Sequence, residues 1–169
     1  KELLYGSQGP TSLDLVPVLG FKLLGLNVRP IFGMSGRGAG RLAFERGEVN
    51  IDYQTTTAYL RNVVPLIDQG NAVPLFSWGA LNDSGELIRD PTFPNLPHFA
   101  EAYEILHGEK PSGLGWESWF AFFTAGFPAM KLLVAPKETP VEIVSAYQDA
   151  VIAMKRDPEY IARNPAALG

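Results

Sequence analysis

Apolar positions along this chain fall into two alternating rhythms. Short apolar runs bounded by turn residues read as strands, and apolar residues recurring every three or four positions read as amphipathic helix. Residues 3–5 (LLY) predict a first strand, and Leu15, Val16, Leu19, Leu23 and Leu24 then keep a helical period. Thr11 or Ser12 is the expected cap of that helix, and Pro17 fits it only in the first turn, where a missing N–H is harmless. Residues 27–32 (NVRPIF) predict a second strand whose Pro30 belongs at an edge or an end. After the glycine-rich 33–40 (GMSGRGAG), residues 42–46 predict a short helix and 49–54 (VNIDYQ) a third strand. The Thr55-Thr56-Thr57 run caps a helix carrying Leu60, Val63, Val64 and Ile67, and residues 72–78 (AVPLFSW) predict a fourth strand. Strands alternating with helices imply an α/β fold with a mostly parallel sheet and helices on both faces.

The rhythm then breaks. Residues 79–97 contain the turn signal Asn82-Asp83-Ser84-Gly85 together with Pro91, Pro94 and Pro97, so a long surface excursion is expected. Residues 98–106 and 116–125 read as helices, and 131–135 (KLLVA) as a short strand. Thr139-Pro140-Val141-Glu142 has the form of a capping box with proline at the first helical position. Ile143, Val144, Tyr147, Val151 and Met154 form the apolar stripe of the helix it opens, and Asp157-Pro158 starts a last short one. The aromatic group Trp116, Trp119, Phe120, Phe122 and Phe123 is expected in a core or a lobe interface, with a partner-docking patch as the other reading.

Composition narrows the function. The 169 residues are 46% hydrophobic, enough for a real core, and the net charge of −4 with scattered Lys and Arg gives no nucleic-acid surface. Absence of cysteine removes disulfides, thiol catalysis and cysteine-held metals. No apolar run is long enough for a bilayer span, so no membrane insertion is expected. The chain opens on Lys-Glu directly before a strand and ends on Ala-Ala-Leu-Gly, which reads as a fragment lacking its signal peptide.

Catalytic patterns are thin. His98 and His107 lie on or beside one helix, away from the glycine turns, and are expected at the surface. The Gly-x-Ser-x-Gly elbow is absent, since Gly6-Ser7-Gln8-Gly9 is one residue short. Gly36-Arg37-Gly38-Ala39-Gly40 fails the dinucleotide fingerprint, because its sixth position is Arg41. The bland reading of that stretch is a flexible turn with positive φ. No metal-ligand spacing occurs, and neither a metal nor a cofactor is expected. What remains is three strand-to-helix turns rich in small and hydroxyl residues. In an open parallel sheet such turns gather at the carboxyl ends of the strands, where ligands bind. Their backbone N–H groups and the hydroxyls of Ser7, Thr11, Ser12, Thr55 and Thr56 suit a carboxylate, with no acid, base or nucleophile in evidence.

At these residues the chain resembles the extracytoplasmic solute receptors of tripartite tricarboxylate transporters, the TctC/Bug type. Tyr5-Gly6-Ser7-Gln8-Gly9-Pro10-Thr11-Ser12 is similar to the start of that family's Gly-Ser-x-Gly-x-Gly-Thr-x-x-His loop. Phe32-Gly33-Met34-Ser35-Gly36 and Phe44-Glu45-Arg46-Gly47-Glu48-Val49-Asn50 resemble its next two pieces. Asp90-Pro91-Thr92-Phe93-Pro94-Asn95-Leu96-Pro97 with Glu101, Pro136-Lys137-Glu138-Thr139-Pro140 and Asp157-Pro158-Glu159 resemble its later hallmarks. The chain departs from the pattern in lacking the later loop Gly and the His, and in having Asn50 where the family has Asp.

The resemblance implies one lobe of a type II periplasmic-binding-protein fold. Residues 1–130 would form the ligand-binding lobe, and 131–169 would return toward another, largely missing lobe. It implies no enzyme, but a periplasmic receptor that captures a small organic anion, a di- or tricarboxylate or a relative, and delivers it to a membrane permease. The expected ligand residues are Gly6, Ser7, Gln8, Gly9, Thr11 and Ser12 in the first turn, Ser35, Gly36 and Arg37 in the second, and Gln54, Thr55 and Thr56 in the third. Two rivals stay open: an α/β enzyme binding a nucleotide or phosphorylated metabolite at the same turns, and a ligand-sensing regulatory domain.

Overall fold

The structure, a computed structural model, describes residues 2–127 and 133–163. It is a mixed α/β arrangement in which helix far outweighs strand. The first strand, β1 (Leu3–Gly6), runs parallel to β2 (Val28–Ile31), with Tyr5 opposite Pro30, and α1 (Leu15–Leu23) connects them. Pro30 sits in a strand paired on one side only, so its missing donor interrupts no ladder. Thr11 and Ser12 are not the cap of α1. Asp14 holds that position, its side chain turned to other partners, and Pro17 lies in the first turn as expected.

On its other side, β1 meets the chain once, where Tyr5 bridges Ile51 in parallel. Asn50 fixes that crossing, its side chain accepting from the Leu4 N–H at 2.8 Å. The expected third strand at 49–54 therefore shrinks to one bridge. The expected fourth strand at 72–78 likewise keeps only a bridge between Ser77 and His98. Both segments have strand sequence, but a strand needs a hydrogen-bonded neighbour, and these two are not paired with each other. The four-stranded expectation is thus corrected to two parallel strands with flanking bridges.

Between them, α2 (Arg37–Glu45) begins earlier than its apolar spacing predicts. The glycine run is therefore no positive-φ turn, since only Gly33 within it has a left-handed φ, of 98°. Gly40 serves close approach instead: a Cβ there would lie 3.2 Å from the Gly6 carbonyl oxygen. The next helix is continuous from Thr56 to Asp68, in three parts: α3 (Thr56–Ala58), a π-helical turn (Tyr59–Val63) and α4 (Val64–Asp68). Pro65 accounts for the π turn, because it cannot donate to the carbonyl four residues back. Thr55 stands at the N-cap position with no side-chain capping bond.

The excursion contains a small hairpin, β3 (Ala80–Leu81) and β4 (Leu87–Ile88), around the expected turn. Asn82 closes it by accepting from the N–H groups of Ser84 and Glu86. His98 then caps α5 (Phe99–His107) in a reciprocal box with Glu101. Burial holds the His98 imidazole below its ordinary range, against the pull of Glu101, and its Nδ1 accepts from the Glu101 N–H.

The larger core packs α1 against α6 (Gly113–Gly126). Val16, Leu24, Phe99, Trp119 and Phe123 are its buried members. Trp119 and Phe123 belong to the core, whereas Phe122 stays exposed. A second core joins Tyr5, Phe21, Ile51 and Tyr53 beneath the parallel strands. No side-chain cap forms at the start of α7 (Val141–Arg156), where Pro140 takes the N-cap position, so the expected capping box is absent. Its stripe residues Ile143, Tyr147, Val151 and Met154 are exposed, and it packs on α8 (Pro158–Arg163). The expected strand at 131–135 falls partly outside the described residues, and its last three residues carry no strand.

Candidate functional site at the strand-to-helix turns

Beyond β1 the chain extends the sheet by one residue, the Ser7 N–H donating to Ile31 O at 2.9 Å, and then turns toward α1. That turn does hold an anion, and the anion is the chain's own. Asp14 is fully buried and accepts from the Tyr5 hydroxyl at 3.1 Å, the Ser7 hydroxyl at 3.0 Å and the Gln8 N–H at 2.6 Å. Ser12 braces the loop by donating to Gly9 O at 2.8 Å and accepting from the Asp14 N–H at 3.2 Å. The strand–turn–helix geometry that presents donors to an anion is thus satisfied from within.

Arg37, first residue of α2, supplies the countercharge. Its Nε lies 3.3 Å from Asp14 Oδ1, and its two terminal nitrogens donate to the Tyr5 hydroxyl at 2.8 Å, to Tyr53 O at 3.4 Å and to Gly6 O. The guanidinium sits 5.3 Å from the Tyr5 ring centre and 5.8 Å from that of Tyr53. Planar, always charged and multiply donating, it suits this buried position as a lysine would not. Gln54 completes the tie, its Nε2 donating to Arg37 O at 2.9 Å and to Asp52 Oδ2 at 2.7 Å. Burial pushes the Tyr5 and Tyr53 hydroxyls above the ordinary phenol range, against the pull of Arg37. The Tyr5 hydroxyl is therefore protonated and free to donate to Asp14.

All three expected turns accordingly meet, through Arg37 and Gln54. Within them the expected residues have different standing. Ser7, the Gln8 N–H and Arg37 are committed to the internal cluster, and Gly6 gives Arg37 its carbonyl. Gly36 is the extended N-cap of α2, and Ser35 is exposed beside it. The hydroxyls of Thr11, Ser35, Thr55 and Thr56 make no hydrogen bond among the described residues. Asp14, Asp52, Tyr5 and Tyr53 were not expected at the site. The legible signal for Asp14 was its position just before the helical period, where a short acidic side chain reaches back to loop amides.

A cavity of about 740 Å³ adjoins the third turn. Asp52, Gln54, Thr55 and Thr56 stand on its wall, Arg41 and Asn50 add polar groups, and Tyr59, Phe76, Trp78 and Phe93 contribute aromatic rings. Neither histidine reaches it: His98 is a helix cap, and the His107 ring packs 4.3 Å from that of Tyr103. No group of three or more potential metal ligands occurs among the described residues.

Asp52 is the strained member. Burial raises its carboxyl above the ordinary 3.8, with the Gln54 hydrogen bond and Arg37 opposing, and its Oδ1 has no hydrogen-bond partner, though Arg37 lies 3.8 Å away. The folded state then holds a proton on Asp52 at pH values where the unfolded chain has lost it. This contribution to stability is present at low pH and is lost as pH rises through the folded pKa. Asp52→Asn should remove that fall. In urea melts from pH 4 to 7 the variant is expected to gain on the parent as pH rises; parallel profiles would refute the assignment. No protein-family model matches the chain, and neither the curated proteins nor the solved structures contain a match to it.

Proposed function

We propose that this chain is the ligand-holding lobe of an extracytoplasmic solute receptor, which captures a small organic anion of the di- or tricarboxylate class and passes it to a membrane permease. One observation carries the reading: three turns far apart in sequence, each singled out for donors, meet at Arg37, whose guanidinium holds the first turn and whose carbonyl accepts from Gln54 of the third. Arg37 and Asp14 make that junction rigid, and their charges largely cancel. Recognition then falls to the dipoles left over, the hydroxyls of Thr11, Ser35, Thr55 and Thr56 and the first amides of the helical run beginning at Thr56. Such donors hold a carboxylate without a full countercharge, and water exclusion by a second lobe strengthens them. The receptor works outside the cytoplasm and catalyses nothing. No helix among the described residues is long and apolar enough to cross a membrane.

One lobe supplies half the contacts, so the chain alone is expected to bind at about 1 mM or weaker, near −4 kcal/mol. At a hundredfold excess over Kd a ligand still adds about 2.7 kcal/mol of stability. Thermal melts with succinate, citrate, glutamate, benzoate and ATP at matched ionic strength test the idea. A rise in Tm with one carboxylate class, abolished in the Thr55→Val, Thr56→Val double variant, is the expected result. A rise with ATP alone would move the protein to the nucleotide-binding enzymes.

A further inference from the structure

The cavity beside the third turn changes in chemistry along its length. Thr55, Thr56, Tyr59, Val63 and Leu66 all stand on its wall. After the threonine pair these residues recur every three or four positions, so they share one face of the helical run that ends at Asp68. That face begins with two hydroxyls that make no hydrogen bond among the described residues, passes to a phenol ring and ends in aliphatic side chains. At ~1.5 Å per residue, the wall runs about 15 Å from Thr56 to Leu66. Donors at one end and an apolar surface beyond them suit an amphiphile, with its carboxylate on the threonines and its carbon body along the helix.

The nature of that body is set by rings. Tyr59 meets Phe93 edge to face, with centroids 5.0 Å apart and planes at 72°. Phe76 meets Trp78 in the same way, at 5.0 Å and 86°. All four line the cavity, which therefore presents both ring edges and ring faces. Those are the two partners that a planar aromatic guest uses in T-shaped and offset-stacked contacts. The volume of about 740 Å³ lies within the ~300–1,000 Å³ that takes drug-sized ligands. A four-carbon acid held at the threonines leaves most of the apolar wall in contact with water, so that wall contributes little to its affinity. Further carboxylates gain little there either, because Arg41, the cation among these wall residues, is already engaged by Glu45.

We infer that the solute held at Thr55 and Thr56 is an aromatic carboxylic acid, with a carboxylate on the two hydroxyls and its ring among Tyr59, Phe76, Trp78 and Phe93. The inference rests on the receptor reading and narrows its ligand class. A ring carries the carboxylate that the turn holds, and any second carboxylate stays outside the ring pocket.

Chemical-shift titrations of the isotope-labelled chain with phenylacetate, succinate and phenylethanol, at matched ionic strength, separate the ring from the charge. Phenylacetate is expected to bind roughly tenfold more tightly than either of the others. Its ring protons are expected to give Overhauser contacts to Tyr59 and Phe93. Phe93→Leu is expected to weaken phenylacetate about fivefold, with a thermal melt confirming its fold. Succinate binding as tightly as phenylacetate overturns the aromatic class and leaves the receptor reading intact. Phenylethanol binding as tightly as phenylacetate overturns the carboxylate contact, and both readings fall with it. Absence of binding by all three has the same consequence. Contacts from the ring to other side chains only, or a folded Phe93→Leu variant that binds like the parent, overturn the placement of the ring.

Discussion

Asp14→Ala is expected to cost about 3–5 kcal/mol of folding stability, the usual loss when one member of a buried ion pair is removed. Such a loss is a large share of the ~5–15 kcal/mol that holds a domain folded. The variant leaves the Tyr5 and Ser7 hydroxyls and the Gln8 N–H without their acceptor, and leaves Arg37 buried with Asp52, 3.8 Å away, as its remaining anion. Urea denaturation reads the loss as a lower midpoint at unchanged slope. Two companions separate the charge from the shape. Asp14→Asn with Arg37→Met removes both charges together, and should recover part of the loss, because the desolvation cost of the pair disappears with it. Added formate should raise the midpoint of Asp14→Ala and leave the parent unmoved, since the emptied turn is again an anion cradle. A loss below 1 kcal/mol in Asp14→Ala would mean that water replaces the carboxylate freely, and the turn would then be open to outside ligands.

Trp119→Ala is the second large effect, at about 3–5 kcal/mol for deleting a fully buried aromatic side chain. Trp119 is 0% exposed, with its ring 4.1 Å from that of Phe99 and 5.1 Å from that of Phe123. Its indole N–H also donates to Val16 O at 3.2 Å, which joins α6 to α1 across 103 residues of sequence. Trp119→Phe keeps most of the ring and loses that bond, so about 1–2 kcal/mol is expected. Thermal and urea melts distinguish the two variants. Because Phe123 and Trp78 pack beside Trp119 and also line the cavity, Trp119→Ala should weaken ligand binding as well as stability. A variant that melts like the parent would place this aromatic face outside the core.

Much of the frame was legible because it depends on neighbours in sequence. The apolar run before a small-residue turn and a helical period located β1 and α1, and Asn82 with Gly85 located the hairpin turn. A helix or a turn is decided within a few residues, so local spacing carries it. The strands at 49–54 and 72–78 show where such reasoning stops. Their apolar pattern is that of strands, yet each is paired at one residue only, because a ladder depends on what lies alongside and not on the segment itself. The π turn before Pro65 and the exposed stripe of α7 have the same origin in what packs, or does not pack, against them.

The site divides in the same way. Sequence by itself determined that three turns rich in hydroxyls and glycine follow strand-like runs, that Arg37 lies in the second, and that no histidine or cysteine chemistry accompanies them. Only the tertiary structure decided which donors are already committed. Asp14 reaches Ser7 across a short loop, but Arg37 reaches Tyr5 across 32 residues and Gln54 reaches Arg37 across 17. A hydrogen bond forms between groups about 3 Å apart whatever their separation along the chain. Residue types therefore listed the possible donors and acceptors, and the fold chose the pairs, filling one turn with an internal carboxylate and leaving Thr55 and Thr56 free.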